Sequence, residues 1–456
     1  MATTNPLKTI TEIDPGKFLL ISILIVFGTL LNAQGTWEKI AVPTDVTLNS
    51  VFFTDSLYGW IAGDSGTIMN TSDGGQTWNR QVTGTTNNIV SVFFLDRNKG
   101  WAASQNYATI PYGTIMMKTL NGGNEWTSFP YPENDIFMNC ILFRDSLNGW
   151  MGGNPHALVR TIDGGITWSQ AAVDTSVLAF FPVLNIHFYD EKYGYACGGR
   201  FDIAGVLWRT NDGGNLWHAI DPSEAPADEV HELHLFDSVN VMGAGGDPDF
   251  GYGVGMIRTS NGGINWTYHE LNMQGYASDL DFRNEKEAWA PLGSRGKLIY
   301  SMDAGDTWTE IPTPDSTIIT NMIFPDSLHG FGIGRNGAFI RYKPKITGID
   351  DKVLNHLHSS FTLAQNSPNP FSSSTKIKFS IHGDGEIRPA TLQIRVFSSS
   401  GVLVKTMDTG KCIPGEYEIT MDGTDLPQGI YYYFLFLSDQ ERLVSCAGPG
   451  KMILLR

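Results

Sequence analysis

A short glycine turn that leads into a tryptophan is repeated along most of the chain, and this repeat limits the possible folds more than any other feature. The first copy reads TSDGGQTWN and begins at Thr71. Five further copies follow, with 42 to 49 residues between successive tryptophans. A period of about 45 residues is typical of four-stranded propeller blades. The six tryptophans are Trp78, Trp126, Trp168, Trp217, Trp266 and Trp308.

A second phrase, an apolar strand followed by an acidic turn, occurs seven times, from SVFFTDSLYGW to NMIFPDSLHGF. Short apolar strands separated by turns at this spacing predict a small antiparallel sheet in each unit. The last unit lacks a fourth strand, and the segment GTWEKIAVP resembles the fourth-strand segment DTWTEIPTP. We therefore expect the strand at Trp37 to pair with Phe339–Arg341 and to close a ring. The expected fold class is all-β, with a seven-bladed β-propeller over residues 35–343.

The glycine turns match or nearly match the pattern Ser/Thr-x-Asp-x-Gly-x-Thr-Trp, and so resemble the Asp-box, or bacterial neuraminidase repeat. With the F-x-D-x-x-x-G-W phrase, the array resembles the photosystem II assembly and stability factor class of propellers. We expect the Asp to accept backbone hydrogen bonds from two or three residues on, the Gly to adopt positive φ, and the Trp to lie between sheets with its N–H on a carbonyl. Asn replaces Asp in two copies, which suits a structural role better than acid–base chemistry. The residues assigned this structural role are Asp73, Gly75, Trp78, Asn121, Trp126, Asp163, Trp168, Asp212, Trp217, Asn261, Trp266, Asp303 and Trp308.

Loops that depart from the repeat are the candidates for a binding face, because loops on a rigid scaffold commonly carry function. Three insertions, SQNYATIPYG, GRFDIAG and GDPDFGYGVG, fall between second and third strands. In a meander they share a face with the connectors from fourth to first strands, such as DPSEAPADEVHE. Aromatic and carboxylate side chains suit sugars or polypeptide segments, although solvent loops that have drifted without a function are an alternative. The candidate rim residues are Tyr107, Tyr112, Asp202, Asp247, Asp249, Phe250 and Tyr252.

The sequence assigns no catalytic residue, and it argues more strongly against a sialidase than against a glycoside hydrolase with two carboxylates. Sialidase sites need three arginines that converge on one carboxylate, but Arg160, Arg209 and Arg258 each directly precede a glycine turn. They therefore occupy equivalent places in different sheets, where we expect surface or inter-sheet ion pairs. A glycoside hydrolase with two rim carboxylates stays an alternative. Xyloglucanase-type enzymes, however, use two facing propellers, and this chain encodes one.

Charge and spacing argue against several ligands. The formal net charge of −16 disfavours nucleic acid as a partner, because phosphate binding needs clustered lysine and arginine. No His/Cys zinc spacing occurs, and Asp247-Pro248-Asp249 lacks the remaining ligands of a calcium loop. We therefore expect no cofactor and no metal. Cys140 and Cys197 lie in apolar stretches and are expected to be buried thiols, whereas Cys412 and Cys446 are candidates for a disulfide.

The N-terminal segment KFLLISILIVFGTLLNAQ has the pattern of a secretory signal peptide, which we place at residues 1–33. Its apolar run is shorter than the roughly 20 residues that a membrane span needs. An uncleaved anchor is the alternative, and the long polar stretch before Lys17 raises the question of a downstream start. We expect export, and no membrane span in the mature chain.

Residues 361–456, after a linker over 344–360, read as alternating strands of a small Ig-like β-sandwich. Their motifs LAQNSPNPF, VFSSSG, LPQGIY and KMILLR resemble, in that order, the type A C-terminal sorting domain of the type IX secretion system. The resemblance implies a Gram-negative origin, with the type IX machinery and its sortase as partners. It also implies release into the medium or attachment at the outer-membrane surface.

The expected function is that of an exported, non-enzymatic and monomeric propeller whose rim binds an unidentified glycan or polypeptide. One alternative is a secreted carbohydrate-active hydrolase that acts through rim carboxylates. A second is a surface adhesin or structural protein, which predicts a broad apolar or aromatic patch without a pocket.

Overall fold

The computed structural model describes residues 35–155, 157–174, 177–200, 202–226, 228–247, 253–344, 361–381, 391–398, 403–411, 415–439 and 442–455. The chain divides into two compact units, one of residues 35–344 and one that contains the sorting-domain segment from residue 345 onward. The signal peptide predicted at 1–33 lies outside the described residues, as does nearly all of the predicted linker. Within the described part of the chain, no helix is long and apolar enough to cross a membrane.

The unit of residues 35–344 consists of short strands with four short 3-10 helices among its described residues, at Val177–Phe180, Pro222–Glu224, Gly293–Arg295 and Pro314–Ser316. The strands are β1 (Thr36–Lys39), β2 (Leu48–Phe53), β3 (Gly59–Gly63), β4 (Thr67–Thr71), β5 (Asn79–Arg80), β6 (Asn88–Phe94), β7 (Gly100–Asn106), β8 (Gly113–Thr119), β9 (Thr127–Pro130), β10 (Phe137–Phe143), β11 (Gly149–Asn154), β12 (Ala157–Thr161), β13 (Ser169–Gln170), β14 (Ala172–Val173), β15 (Val183–Phe188), β16 (Gly194–Arg200), β17 (Ala204–Thr210), β18 (Leu216–Ala219), β19 (Val230–Leu235), β20 (Val241–Gly246), β21 (Gly253–Thr259), β22 (Thr267–Gln274), β23 (Asp281–Phe282), β24 (Ala288–Pro291), β25 (Lys297–Ser301), β26 (Thr309–Pro312), β27 (Ile319–Ile323), β28 (Phe331–Gly334) and β29 (Phe339–Lys343).

These described strands form seven sheets, each built on an antiparallel meander. We number them in chain order: sheet 1 is β2–β5, sheet 2 is β6–β9, sheet 3 is β10–β13, sheet 4 is β14–β18, sheet 5 is β19–β22, sheet 6 is β23–β26, and sheet 7 is β27–β29 with β1. Sheet 4 has a fifth strand that the repeat did not predict, because β14 pairs in parallel with β18.

The two ends of this unit meet in sheet 7. Strand β1 pairs antiparallel with β29, and Trp37 lies opposite Tyr342. The Trp37 ring packs edge-on against Trp289, Phe324 and Tyr342, with centroid distances of 5.3 to 5.7 Å. The pairing predicted for the Trp37 strand is therefore confirmed, and it gives the last sheet its fourth strand.

Aromatic rings fill the space between neighbouring sheets. Trp60 of sheet 1 stacks on Phe94 of sheet 2 at 3.6 Å, and Trp101 of sheet 2 stacks on Phe143 of sheet 3 at 3.7 Å. A Cβ on Gly100 would lie 2.5 Å from the Phe94 ring of its own sheet. The repeated F-x-D-x-x-x-G-W phrase thus encodes one packing unit, in which the glycine leaves room for a phenylalanine that supports the next tryptophan.

The second unit forms two sheets in its described residues. Strands β30, β31 and β34 make one sheet, and β33, β32, β35 and β36 make the other. One hydrophobic core contains side chains of both sheets, including Ile377 of β31 and Ile394 of β32. The motif residue Asn366 is buried, and its amide donates to Thr375 Oγ1 at 2.9 Å. The strands are β30 (Phe361–Leu363), β31 (Ser374–Ile381), β32 (Thr391–Ser398), β33 (Leu403–Lys411), β34 (Gly415–Asp422), β35 (Gly429–Asp439) and β36 (Arg442–Leu454).

Candidate functional site

The glycine turns are held by a repeated set of hydrogen bonds around the Asp side chain. Asp73 Oδ1 accepts the N–H groups of Gln76 at 3.0 Å and Thr77 at 2.9 Å, and the Thr71 hydroxyl donates to it at 2.8 Å. The accepted N–H groups lie three and four residues on, one residue further than expected. Gly75 has φ of +76°, and a Cβ there would lie 2.7 Å from Phe339. These contacts fasten the turn and seat it against the neighbouring sheet.

The turns with Asn keep part of this network. Asn121 Oδ1 accepts the Glu125 N–H at 3.0 Å and Asn261 Oδ1 accepts the Asn265 N–H at 3.1 Å. In the Asp turns the hydrogen bonds hold the carboxylate in its charged form, and those from Thr167 lower the pKa of Asp163 to about 2. A group that stays ionised at neutral pH is a poor general acid. These contacts are those of a structural turn.

The prediction for the indole N–H groups is only partly right. Trp168 and Trp308 donate to the carbonyls of Gly165 and Gly305 at 3.2 and 3.0 Å. Trp126 donates instead to the side chain of Gln81 at 3.0 Å. For Trp78 and Trp217 the prediction is wrong, because the indole N–H is buried without a hydrogen-bond partner. Ring packing between sheets, rather than the N–H bond, is what the turns share.

Two of the arginines that precede glycine turns make separate contacts with neighbouring sheets. Arg258 forms an ion pair with Asp306 of sheet 6 at 2.7 Å. Arg160 donates to the Asn215 side chain of sheet 4 and lies over the Trp150 ring at 5.5 Å. These two arginines thus lie at different sheet boundaries, and an inter-sheet ion pair is present at Arg258.

The insertion loops and the connectors lie on one face of the unit, as expected. The Asp135 N–H donates to the Tyr112 carbonyl at 3.0 Å, and the Asp202 N–H donates to Asp228 Oδ1 at 3.0 Å. Tyr107 is 61% exposed and stacks on Phe137 with centroids 4.3 Å apart. We call this surface the loop face. It combines exposed aromatic rings with carboxylates.

The other predicted rim residues differ in position. Tyr112 is 41% exposed, and Asp202 is exposed in the turn between β16 and β17. Asp247 was expected on the rim but is only 2% exposed, because the end of β20 packs under the connector before β19. Asp249, Phe250 and Tyr252 lie outside the described residues.

Sequence reasoning missed Asp228, which lines a small cavity on the loop face with room for about one water molecule. Asp228 is 4% exposed, and its Oδ2 has no hydrogen-bond partner. Burial raises the Asp228 pKa, and the nearby charges of Asp247 and Asp202 raise it further. The signal in the sequence was the acidic, proline-containing connector, but nothing in it distinguished one carboxylate from another. The lining residues are Pro226, Asp228, Glu229, Val230, Gly245, Gly246, Gly255, Ile257 and Tyr268.

Sequence reasoning also missed two buried carboxylates, which lie on or next to the first strands of sheets 5 and 6. Glu232 forms an ion pair with His187, and Asp279 accepts the N–H groups of Leu280 and Met322 at 2.7 and 2.6 Å. Burial raises the pKa of Asp279 well above its usual range, and Glu232 adds to the shift. The other copies of this phrase carry Ser, Cys or Asn at the position of Glu232 and Asp279. An alignment of the seven copies would have shown that only these two carry a carboxylate at this position.

Cys140 and Cys197 are buried free thiols, as predicted, and burial raises the pKa of Cys140 to about 12. The disulfide considered for Cys412 and Cys446 cannot be placed, since Cys412 lies outside the described residues. The described residues contain no group of three or more His, Cys, Asp or Glu side chains arranged to hold a metal ion.

The all-β architecture and its inter-sheet packing define the class of the first unit, which is a β-propeller. Residues 31–134 match the family model of the photosynthesis system II assembly factor YCF48, and residues 367–444 match that of the secretion system C-terminal sorting domain. The photosystem II assembly protein Ycf48 of Synechococcus sp. (strain JA-2-3B'a(2-13)) is 30% identical, over 71% of this chain and 94% of its own length. The chain belongs to the Ycf48 family.

Solved structures show the same fold. The structure described as YCF48 bound to D1 peptide is 24% identical with a TM-score of 0.54, over 68% of this chain and 97% of that chain. The GH74 enzyme of Niastella koreensis is 13% identical with a TM-score of 0.53, over 91% of this chain and 67% of that chain. The curated relatives of the Ycf48 family are named as assembly factors, while the GH74 likeness concerns the fold alone. The sorting-domain match indicates export to the medium or cell surface through the type IX secretion machinery.

Proposed function

We propose that this chain is an exported, non-catalytic seven-bladed propeller whose loop face binds an extended segment of polypeptide. In this account the seven sheets are the blades, β1 closes the ring, and the second unit is an Ig-like sandwich that directs export. The observation that carries the proposal is the loop face itself. There, Tyr107 and Tyr112 stand exposed in the insertion of sheet 2, and a buried carboxylate, Asp228, lines a small cavity at sheet 5.

The relatives support a polypeptide rather than a glycan as the ligand. One solved family structure is described as bound to a D1 peptide, and the curated relatives are named for assembly of a protein complex. Tyrosine rings provide large contact areas at a small cost in conformational entropy, which suits peptide recognition. The cavity beside Asp228 has room for about one water molecule, far less than the 300 to 1,000 Å³ that is typical of small-molecule sites.

The test is a peptide-library binding screen with the full chain and two matched double variants. Replacing Tyr107 and Tyr112 with Ala should weaken the strongest hits roughly tenfold, because exposed aromatic anchors carry much of the energy at such surfaces. Replacing Ile162 and Ile166 with Ser removes two exposed apolar side chains from a glycine turn instead. That control should bind normally. Equal losses in both variants, or no binding by the unmodified chain, would contradict the proposal.

A glycoside hydrolase is the second candidate function, favoured by one observation. Asp228 has a raised pKa and lies beside Asp202, as a general acid lies beside a second carboxylate in such enzymes. Release of reducing sugar from a panel of plant and bacterial polysaccharides, abolished by Asp228→Asn, would establish this alternative.

A further inference from the structure

Three large side chains stand exposed in the insertion between β7 and β8. Tyr107 is 61% exposed, Ile110 is 84% exposed and Tyr112 is 41% exposed. They lie in one run of consecutive exposed residues, 107–112, which we call the tip loop. Single exposed apolar residues are ordinary on protein surfaces, whereas a concentration of them is typical of interaction sites.

The tip loop is held in one shape by the buried side chain of Asn106. The Asn106 amide donates to the carbonyl oxygens of Thr109 at 2.7 Å and Pro111 at 2.9 Å. Its Oδ1 accepts the N–H groups of Ala108 at 3.2 Å and Thr109 at 3.1 Å. The loop is therefore ordered before a ligand arrives, which reduces the conformational entropy that is lost on binding.

Sheet 3 supports the tip loop from the side. The Tyr107 ring stacks on Phe137 with centroids 4.3 Å apart, and its hydroxyl donates to Gln105 Oε1 at 3.1 Å. The Gln105 amide in turn donates to the Met138 carbonyl of β10 at 2.9 Å. The ring of Tyr107 is thus fixed in position while more than half of its surface stays open to a ligand.

The connector beside the tip loop is acidic. We call residues 131–136, which lead into β10, the acidic connector; it contains Glu133 and Asp135, both exposed, and no lysine or arginine. The Asp135 N–H donates to the Tyr112 carbonyl at 3.0 Å, so the connector contacts the tip loop directly. The tip loop also lacks lysine and arginine. Two carboxylates beside exposed rings favour a ligand group of positive charge.

The basic residues of the loop face belong to other sheets. Arg200 ends β16 in sheet 4, Arg295 and Lys297 lie at the start of β25 in sheet 6, and Arg335 precedes β29 in sheet 7. The positive charge of Arg335 acts on Tyr276, which precedes sheet 6. The loop face as a whole therefore carries both signs of charge, but the part around the tip loop is negative.

We infer that the tip loop and the acidic connector bind a basic and apolar segment of the polypeptide ligand. In this segment a lysine or arginine stands beside a leucine, isoleucine or phenylalanine. The inference rests on the proposed function, since it names the chemistry of the same ligand. The apolar side chain packs on Ile110 and on the rings of Tyr107 and Tyr112. The basic side chain is attracted by Glu133 and Asp135 and by the faces of the tyrosine rings.

The first test repeats the peptide-library screen with the full chain and its variants. Sequences selected by the unmodified chain should be enriched in lysine or arginine next to a large apolar residue. Glu133→Gln with Asp135→Asn should remove the preference for basic residues and weaken binding of the best peptide roughly threefold to tenfold. Ile110→Ser should instead reduce the preference for apolar residues, with a loss of affinity of roughly tenfold.

The matched control for the charge variant is Asp45→Asn with Glu285→Gln. This pair removes the same amount of charge from two exposed positions elsewhere and should leave the selected sequences unchanged. A basic preference that disappears equally in the control would overturn the inference, because net charge rather than the acidic connector would then attract the ligand.

The outcome of the screen separates this inference from the proposed function. Selected peptides that are neutral or acidic would overturn the inference while the proposed function stands, as would a basic preference that survives Glu133→Gln with Asp135→Asn. Selection of no peptide by the unmodified chain would overturn both.

A second test measures the affinity of the best peptide at rising NaCl concentration by fluorescence anisotropy. Salt screens exposed charges, so binding to the unmodified chain should weaken as the salt concentration increases. The dependence should be shallower for the chain with Glu133→Gln and Asp135→Asn. Equal slopes in the two chains would contradict a role for these carboxylates.

A third measurement tests whether the tip loop joins two copies of this chain instead. Sedimentation velocity should show a monomer at the protein concentrations of the screen. A dimer that Ile110→Ser converts to a monomer would show that the exposed apolar group is an interface between copies, and would overturn the inference.

Discussion

Arg341 and Glu38 are 303 residues apart in the chain, yet both Nε and Nη2 of Arg341 donate to Glu38 Oε1, at 3.0 and 2.7 Å. The pair joins β29 to β1, the strand that completes sheet 7. Both side chains are mostly buried, and Lys343 contributes a further ion pair to Glu38. This is the point at which the two ends of the repeat array are held together.

Replacing Glu38 with Gln should lower the free energy of unfolding by about 1 kcal/mol at pH 7. Burial alone raises the Glu38 pKa, but the hydrogen bonds from Lys343 and Arg341 outweigh it and lower that pKa. Glu38 therefore stabilises the folded state fully above the pKa that it has in the unfolded chain. This stabilisation is lost as the pH falls through the lower pKa of the folded state. Urea unfolding followed by tryptophan fluorescence measures it, because all 12 tryptophans lie between Trp37 and Trp308. The control Glu310→Gln breaks a pair within sheet 6 and should cost less; an equal cost would contradict a special role for the closing pair.

Gly100→Ala should destabilise the first unit by about 1 to 3 kcal/mol, since the added Cβ would lie 2.5 Å from the Phe94 ring. Adding Phe94→Leu should relieve part of that clash, although the smaller ring contact with Trp60 has a cost of its own. A double-mutant cycle in urea separates the two effects. Strict additivity would show that the glycine does not make room for the phenylalanine.

Asp163→Asn should lower the free energy of unfolding less than Asp163→Ala does. For Asp163→Ala, the loss of several hydrogen bonds predicts a decrease of about 1 kcal/mol. The pKa of Asp163 is lowered from 3.8 to about 2, so its contribution is present above pH 3.8 and is lost as the pH falls towards 2. As the pH is lowered across this range, the free energy of unfolding should fall more steeply in the unmodified chain than in the Asp163→Asn chain. If Asn proves as damaging as Ala, the tolerance inferred from Asn121 and Asn261 is wrong.

Asp279 should make the first unit less stable as the pH rises. Because burial raises its folded pKa, the folded state binds the proton more tightly, and stability falls from the unfolded pKa up to the raised folded value. Asp279→Asn should reduce the slope of stability against pH between 5 and 8, even though one acceptor for Leu280 or Met322 is lost. His187 contributes to the remaining slope, because burial lowers its pKa but Glu232 raises it overall. Asp163→Asn is the control and should keep the full slope, because the pKa of Asp163 is about 2 and lies below this pH range.

The repeat made much of the first unit predictable. The turn around Asp73 and the strand β4 depend on residues close in sequence, and the same local pattern recurs along the chain. The pairing of β1 with β29 followed from counting copies, because a meander without its last strand leaves an unpaired edge. The parallel strand β14 was missed because no other copy has one.

The loop face was less predictable for a physical reason. Asp247 and Asp228 come from different segments, and their burial depends on how the connector before β19 packs over β20. Neither segment repeats, so no second copy revealed which carboxylate is exposed. The sequence could indicate a face rich in acids and aromatic rings, but not the unsatisfied oxygen of Asp228.

The most direct measurement of the central claim is cross-linking of a library-selected peptide that carries a diazirine group, with the attachment sites mapped by mass spectrometry. The account predicts attachment to the loop face, at residues 104–113, 199–204 or 221–230 of the full chain. Attachment confined to the glycine turns, such as residues 162–166, or the same pattern with a scrambled peptide, would contradict it.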